Sequence, residues 1–347
     1  MPDPELTAPV DLCLSDGTVN PAAIGWSRRP LHRANLRGWG RTKRWEHWCV
    51  TTPTHLLALT VADLDFLRLH ALYFLDFAGP TPREISRATI AGPARATALP
   101  EVIAGSAAGT DVVVGPPDPG RWRLRIAITA VDGGTRLQAR TVTDDGALLA
   151  ADLTVAAPAG HESLSVVVPW SPRRFQYTSK HVARPADGSV RIGQRVYDVG
   201  DDAWGTLDHG RGRWPRSARW NWGAAAGRTD GHVVGLQFGG RWTDHTGTTE
   251  NALCVNGRLS RLHEDLRWEY DRRNFLRPWT VHTRDSDRVA VTFTPFHDHR
   301  ARAETGLLAT RTDQCFGYYR GHIRTDDGTR IAVDDLLGWA EDVTMRW

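Results

Sequence analysis

Apolar and polar residues alternate with a period of two along most of this 347-residue chain, and helical spacing is scarce. In RWRLRIAITAV, residues 121–131, Trp122, Leu124, Ile126, Ile128 and Ala130 share one face while Arg121, Arg123 and Arg125 share the other, as in a half-buried strand. The same reading predicts strands over Leu56–Val61, Leu67–Leu75, Arg136–Val142, Leu148–Val155, Leu164–Val168, Val190–Tyr197, Val233–Phe238, Leu262–Tyr270, Val289–Thr294, Tyr318–Arg324 and Arg330–Val333. Between these runs, Asp132-Gly133-Gly134, Asp145-Gly146, Asp187-Gly188, Asn256-Gly257 and Asp327-Gly328 supply the positive φ of tight hairpins. Antiparallel strands joined this way must close into barrels or stack as a sandwich to bury one face and hide their edges. The expected fold is all-β, two barrels or half-barrels packed side by side with few short helices.

Two stretches break the alternation. Residues 79–120 are rich in Ala, Gly and Pro and read as an irregular connection with one short helix near Pro82–Thr89. Pro169-Trp170-Ser171-Pro172 ends a strand with two prolines and sets a domain boundary near residue 172, giving units 1–172 and 173–347.

Composition narrows the function classes. Hydrophobic residues make up 41% and charged residues 24%, which excludes disorder as the main state. The 43 basic and 40 acidic residues are interspersed, so no Lys/Arg block grips a phosphate backbone and nucleic acid is not an expected partner. Cys13, Cys49, Cys254 and Cys315 lie far apart without a CxxC pair, the pattern of reduced intracellular thiols. The N-terminus has no basic segment followed by an apolar core, and no apolar run approaches the ~18 residues of a membrane span, so a cytoplasmic monomer or homodimer is expected. Phosphate-cradling GxxxxGK, GxSxG and strand-to-helix GxGxxG motifs are missing from the sequence, which disfavours ATP, serine-hydrolase and NAD chemistry.

The chain carries 15 tryptophans, and three fall within Asp208–Gly227. Trp214 precedes Pro215 and is pushed to extended geometry, while Trp220 and Trp222, two apart, face the same side of a strand. Such a wall beside Asp208 suits an apolar ligand, including one that becomes cationic during reaction. A carboxyl group kept protonated by desolvation could start that reaction, and Asp208 is one candidate donor. The structural alternative is an Asp208–Arg211 ion pair bracing a Gly-rich loop, with the tryptophans as core. Glu250, with Asn251 beside it and His245 as its partner, is the second candidate, on a polar loop that would sit at a barrel mouth; turn chemistry explains the same residues. Asp63 and Asp65 stand two apart, where close carboxylates would push one pKa upward, although a solvated strand end accounts for them too. Trp45 and His47 share one face of their strand and Glu46 and Trp48 the other, so one of these pairs lines a pocket. Tyr177, with Lys180 nearby, could hydrogen-bond a ligand oxygen. His297 and His299 have a spacing that metal sites use, but no third ligand is placed by sequence, and no metal is expected.

Longer segments carry a resemblance. Asn20-Pro21, Gly25-Trp26-Ser27-Arg28-Arg29-Pro30-Leu31-His32, Lys43-Arg44-Trp45-Glu46-His47-Trp48, Val61-Ala62-Asp63, Pro169-Trp170 with Arg174-Phe175-Gln176-Tyr177-Thr178-Ser179-Lys180, Arg211-Gly212-Arg213-Trp214-Pro215, Trp220-Asn221-Trp222, Thr249-Glu250-Asn251-Ala252 and Gly338-Trp339-Ala340-Glu341-Asp342 resemble the domain-of-unknown-function family 2804 over nearly the whole chain. More distantly, Trp-Pro followed by a Trp-x-Trp strand is similar to the lipocalin-like carotenoid hydratases and tocopherol cyclases. That likeness implies two lipocalin-like barrels and protonation or hydration of isoprenoid double bonds without metal or organic cofactor. Here Asn221 stands where the hydratase pattern has an aspartate, which moves the proton donor elsewhere.

The leading expectation is therefore a cofactor-independent, acid-initiated cyclisation, isomerisation or hydration of an isoprenoid or lipid-like substrate, with Asp208 or Glu250 as proton source and Arg211 among the groups around the ligand. A non-catalytic carrier of an apolar small molecule is the alternative, and a structural partner-binding module the third. A cavity with a carboxyl buried against aromatic rings would favour the enzyme; a purely apolar and hydroxyl lining would favour the carrier.

Overall fold

Alternation in sequence becomes strand in the computed structural model, which describes residues 3–93, 97–120, 123–305 and 308–346. Two large antiparallel sheets dominate. The first has 13 strands among the described residues. Its main path runs in space through Arg83–Ala91, Arg68–Asp76, His55–Asp63, Thr42–Thr51, Trp204–Arg213, Arg174–Ile192, Leu148–Ala156, Gly134–Val142, Leu124–Val131 and Val112–Val114. The second has nine: Arg258–Leu262, Asn251–Val255, His232–Gly240, Ser217–Thr229, Arg330–Arg346, Leu308–Arg324, Val289–Thr305, Trp279–Thr283 and Leu266–Glu269.

Each sheet curls into a half-barrel around its own apolar core. The first encloses Trp48, Leu57, Leu59, Ile126, Leu153 and Leu207, and the second Leu236, Phe238, Leu253, Trp279, Phe293 and Tyr319. Their other faces meet across Leu56, Leu75, Val182, Trp222, Phe316 and Trp339. The pairing therefore leaves a third layer of side chains, between the half-barrels, in addition to the two cores.

Several sequence expectations are refined. The segment expected to form a helix near Pro82–Thr89 is the strand Arg83–Ala91, because it pairs along its whole length with Arg68–Asp76 and β-branched Ile85, Thr89 and Ile90 suit that geometry. Among the described residues the only helix is the 3-10 turn Pro21–Ala23, capped by Asn20, whose side-chain oxygen accepts from the Ala22 N–H. The Val190–Tyr197 run is broken into two paired strands by a turn at Gly193, where φ is +59°, and Leu262–Tyr270 is likewise divided before Leu266. Arg121 and Trp122 lie outside the described residues. The seam at Pro169–Pro172 is the hairpin between Leu164–Ser171 and Arg174–Ile192, both in the first sheet; the chain leaves that sheet after Arg213 and enters the second at Ser217.

Candidate functional site

Residues in register on neighbouring strands lie side by side on one face, so cross-strand rows decide what the space between the half-barrels is lined with. On the first sheet one row reads Lys180, Asp208, His47, Thr60, Ala71, and the next reads Thr178, Gly210, Trp45, Ala62, Leu69. On the second sheet the facing rows are Gln314, Glu341, Trp222 and Thr312, Val343, Trp220. The small residues in these rows leave a cavity of about 360 Å³ between the sheets. Trp45, Trp214, Trp220, Trp222 and Trp242 form its aromatic wall, and its ionisable lining includes His47, Lys180, Asp208, Glu250 and Glu341, with Tyr73 and His299 beyond them. Gly210 is required there, since a Cβ would stand 2.0 Å from Cε2 of the Trp45 indole.

The tryptophans hold one another at edge and stacked angles: Trp214 lies 5.8 Å from Trp45, 6.0 Å from Trp220 and 5.8 Å from Trp242 between ring centroids. Their N–H groups are anchored. Trp214 Nε1 donates to Gln176 Oε1 at 2.7 Å, Trp222 Nε1 to Gln237 Oε1 at 3.0 Å, Trp220 Nε1 to Glu341 Oε1 at 2.8 Å and Trp242 Nε1 to Glu250 Oε1 at 2.5 Å. Anchored indoles keep their rings in place when a ligand arrives.

At the centre, Lys180 Nζ lies 3.0 Å from Asp208 Oδ1, 3.3 Å from Glu250 Oε2 and 4.2 Å from the centroid of the Trp222 ring. Burial works against the Lys180 ammonium, but Asp208 and Glu250 outweigh it and hold the pKa above its ordinary value. Two carboxyls cannot both be balanced by one ammonium. Burial pushes the Glu250 carboxyl upward against the pull of Lys180, and Asp208 adds to the rise. Its Oε1 accepts from Trp242, and its Oε2 faces the Lys180 ammonium that it shares with Asp208. Burial also pushes Glu341 up to about 7 and His47 down to about 4, so the imidazole, hydrogen-bonded to Thr60 Oγ1 at 2.8 Å, is neutral at pH 7.

Of the residues singled out by sequence, Asp208, Glu250, Trp45, Trp214, Trp220 and Trp222 converge on this cavity. Others are turned away from it. Trp48 is buried in the first half-barrel's core, on the opposite face of its strand from Trp45. Arg211 and Tyr177 also face that side: Arg211 Nη2 donates to Glu46 Oε1 at 2.7 Å, and Tyr177 packs on His32 at 4.5 Å. The Asp208–Arg211 pair does not form, because residues three apart on a strand point to opposite faces. Asn221 donates to the Tyr270 hydroxyl and the Glu341 carbonyl, and Asn251 accepts from the Gly239 N–H at 2.7 Å, so both brace backbone. His245 is exposed with φ at +64°, on a surface groove. Asp63 accepts from the Asp65 N–H at 2.9 Å and serves a turn.

Sequence reasoning offers Lys180 only beside Tyr177 and His47 only on one of two possible pocket faces, and it misses Trp242 and Glu341 as cavity groups. A signal for Lys180 existed in Gln176, Thr178 and Lys180, three polar residues at steps of two in a strand otherwise bound for burial. No group of three or more His, Cys, Asp and Glu among the described residues is arranged to hold a metal ion. His297 Nε2 and His299 Nδ1 instead lie 3.1 and 3.3 Å from Glu84 Oε2.

Comparison with known proteins places this geometry in context. Solved structures of similar fold include kievitone hydratase from Nectria haematococca, at 12% identity over 88% of each chain with a TM-score of 0.50. CghA (10% identity, 88% of each chain, TM-score 0.46) and a putative AttH from Nitrosomonas europaea (14% identity, 87% of this chain and 92% of that one, TM-score 0.46) are also similar. No curated protein sequence matches. The model of the family described as Domain of unknown function (DUF2804) matches residues 3–347, and the chain belongs to that family.

Proposed function

We propose that the protein is an acid–base catalyst for an apolar, unsaturated substrate of isoprenoid or other lipid-like kind. It protonates a carbon–carbon double bond, and the resulting cation cyclises, loses a proton at another carbon, or takes up water. The observation that carries this reading is the Glu250 carboxyl, buried against the Trp242 and Trp222 side of a cavity, pushed toward its acid form and obliged to share the single Lys180 ammonium with Asp208. A carboxylic acid in such surroundings has the driving force to protonate an alkene that water cannot.

The neighbours support the role. Asp208 accompanies Lys180, so the ammonium is compensated and does not oppose a substrate cation alone. The faces of Trp45, Trp214 and Trp220 offer a negative quadrupole to that cation and exclude water that would quench it early. A fold shared with a kievitone hydratase is also one in which water addition to a small molecule is known. The proposed chemistry calls on side chains alone.

A carrier would instead be favoured by an apolar and hydroxyl lining. The two readings separate on incubation of the protein with polyprenyl and fatty alkenes in heavy water, followed by mass spectrometry. Deuterium on carbon in a rearranged or hydrated product supports catalysis. Retention of the ligand without label or rearrangement overturns it in favour of carriage.

A further inference from the structure

We propose that Glu341 is the second acid–base group of this cavity, accepting the proton that completes the reaction Glu250 begins; this rests on the acid-initiated reading above. Most buried carboxylates of this protein carry a cation. Glu46 has Arg211 and His209, Asp313 has Arg302 and Arg311, and Asp342, adjacent to Glu341 in sequence, has Arg241 and Arg272. Glu341 differs. It lies in the cavity wall and, among the described residues, has no ion-pair partner within 4.0 Å. Two neutral donors hold it instead, Trp220 Nε1 on Oε1 at 2.8 Å and Gln314 Nε2 on Oε2 at 3.0 Å. A carboxyl needed only for packing would be costly to bury this way, whereas one that must change protonation state is served by partners that leave its charge uncompensated.

Its position relative to Glu250 is set by register. Trp222 pairs with Glu341 on one side and with Gly239 on the other, and the Glu250 side chain lies on Gly239, with Cγ 2.2 Å from where a Cβ would be. Gly239 and Glu341 thus flank Trp222 from strands two apart, roughly 10 Å by strand spacing, with the Glu250 side chain laid over Gly239 from the loop before Asn251–Val255. That separation accommodates part of a substrate together with a water, as in carboxylate pairs that act on a reacting centre from two sides.

The proton balance is complete. The Glu250 carboxyl gives its proton to one alkene carbon, the π pair forms the new C–H bond, and the adjacent carbon becomes cationic. For hydration, water adds its oxygen lone pair to that carbon and Glu341 removes a proton from the added water. For isomerisation, Glu341 removes a proton from a carbon beside the cation, and the C–H pair becomes the new double bond. Exchange with solvent returns both carboxyls to their starting states. The titratable groups that share the cavity with Glu341 are Lys180, Asp208, His47 and Tyr73 from the first sheet, His299 from the second, and Glu250 from the loop before Asn251. Burial raises the Glu341 pKa to about 7, with Asp208 reinforcing the rise and Trp220, Lys180 and Gln314 opposing it.

Full-length protein labelled with carbon-13 at its glutamate side-chain carboxyls, compared with E341Q, tests this directly. One resonance should titrate near neutral pH in the wild type and vanish in E341Q. With the substrate identified by deuterium uptake, E341Q should lower kcat at least ~10-fold, leave KM within a few-fold and remove one limb of the pH profile. A Glu341 resonance that titrates below pH 5.5, or an E341Q variant with wild-type kcat and pH profile, overturns the role of Glu341 alone. A wild-type protein that deuterates no substrate overturns the acid-initiated reading, and the role of Glu341 with it.

Discussion

The Trp45 indole lies across the backbone of Gly210, the residue paired with it on the neighbouring strand. The absence of a side chain at 210 is what lets one wall of the cavity be an aromatic ring lying flat on a strand. In G210A the added methyl would displace Trp45 at a cost on the order of 1–3 kcal/mol. Chemical denaturation should show that loss together with a change in tryptophan emission. G205A is the control, because its Cβ would meet Val155 at 2.4 Å, away from the cavity wall, so stability should fall without the emission change.

Removing the buried ammonium should be severe. K180M leaves Asp208 and Glu250 facing each other without their cation, and a broken buried ion pair typically costs about 3–5 kcal/mol. The triple variant K180M/D208N/E250Q, which removes the stranded charge, should recover most of that loss in urea unfolding. If it does not, Lys180 contributes through its packing on Trp222 and not through charge.

Stability should depend on pH with opposite signs for two cavity residues. Glu341 has a folded-state pKa of about 7 against an ordinary 4.5, so the folded state holds the proton more tightly and stability falls as pH rises from about 4.5 through 7. Converted at the standard rate the loss is about 3 kcal/mol. Thermal unfolding should therefore show E341Q gaining on the wild type at pH 8, with the advantage gone near pH 4.5. His47 runs the other way: its folded pKa of about 4 lies below the ordinary 6.5, so stability is lost as pH falls below 6.5, and H47Q should flatten that acid limb.

Glu250 can be moved without being replaced. In G239A the new methyl would stand 2.2 Å from Glu250 Cγ, a conflict with a flexible side chain that is relieved by swinging the carboxyl off Trp242. The fold should survive, the Trp242 indole N–H resonance should shift upfield as it loses its acceptor, and deuterium incorporation into substrate should drop. Unchanged incorporation would argue that the position of Glu250 does not matter to the chemistry.

Part of this site was readable residue by residue. Trp220 and Trp222 are two apart, and a strand sends both rings to one side; of the carboxyls that the sequence offers, Asp208 and Glu250 line the cavity and Asp63 does not. The rest depended on pairings that sequence proximity hides. Lys180 reaches Asp208 because Arg174–Ile192 and Trp204–Arg213 are neighbours in that register, and Glu341 reaches Trp222 because Arg330–Arg346 pairs with Ser217–Thr229. Arg211 shows the opposite error: near Asp208 in sequence, it is committed by strand geometry to Glu46 on the other face.

The sequence by itself determined that this chain is built of strands and which residues of a strand share a face, because side-chain alternation is a local property of extended backbone. Only the tertiary structure decided which faces meet, since strand order and register come from long-range packing that no short window encodes. It likewise decided which carboxyls lose their water with no cation, as Glu341 does, or with only a shared one, as Glu250 does. Desolvation belongs to the two half-barrels together, and it is what turns Glu250 and Glu341 from ordinary acids into candidates for proton transfer.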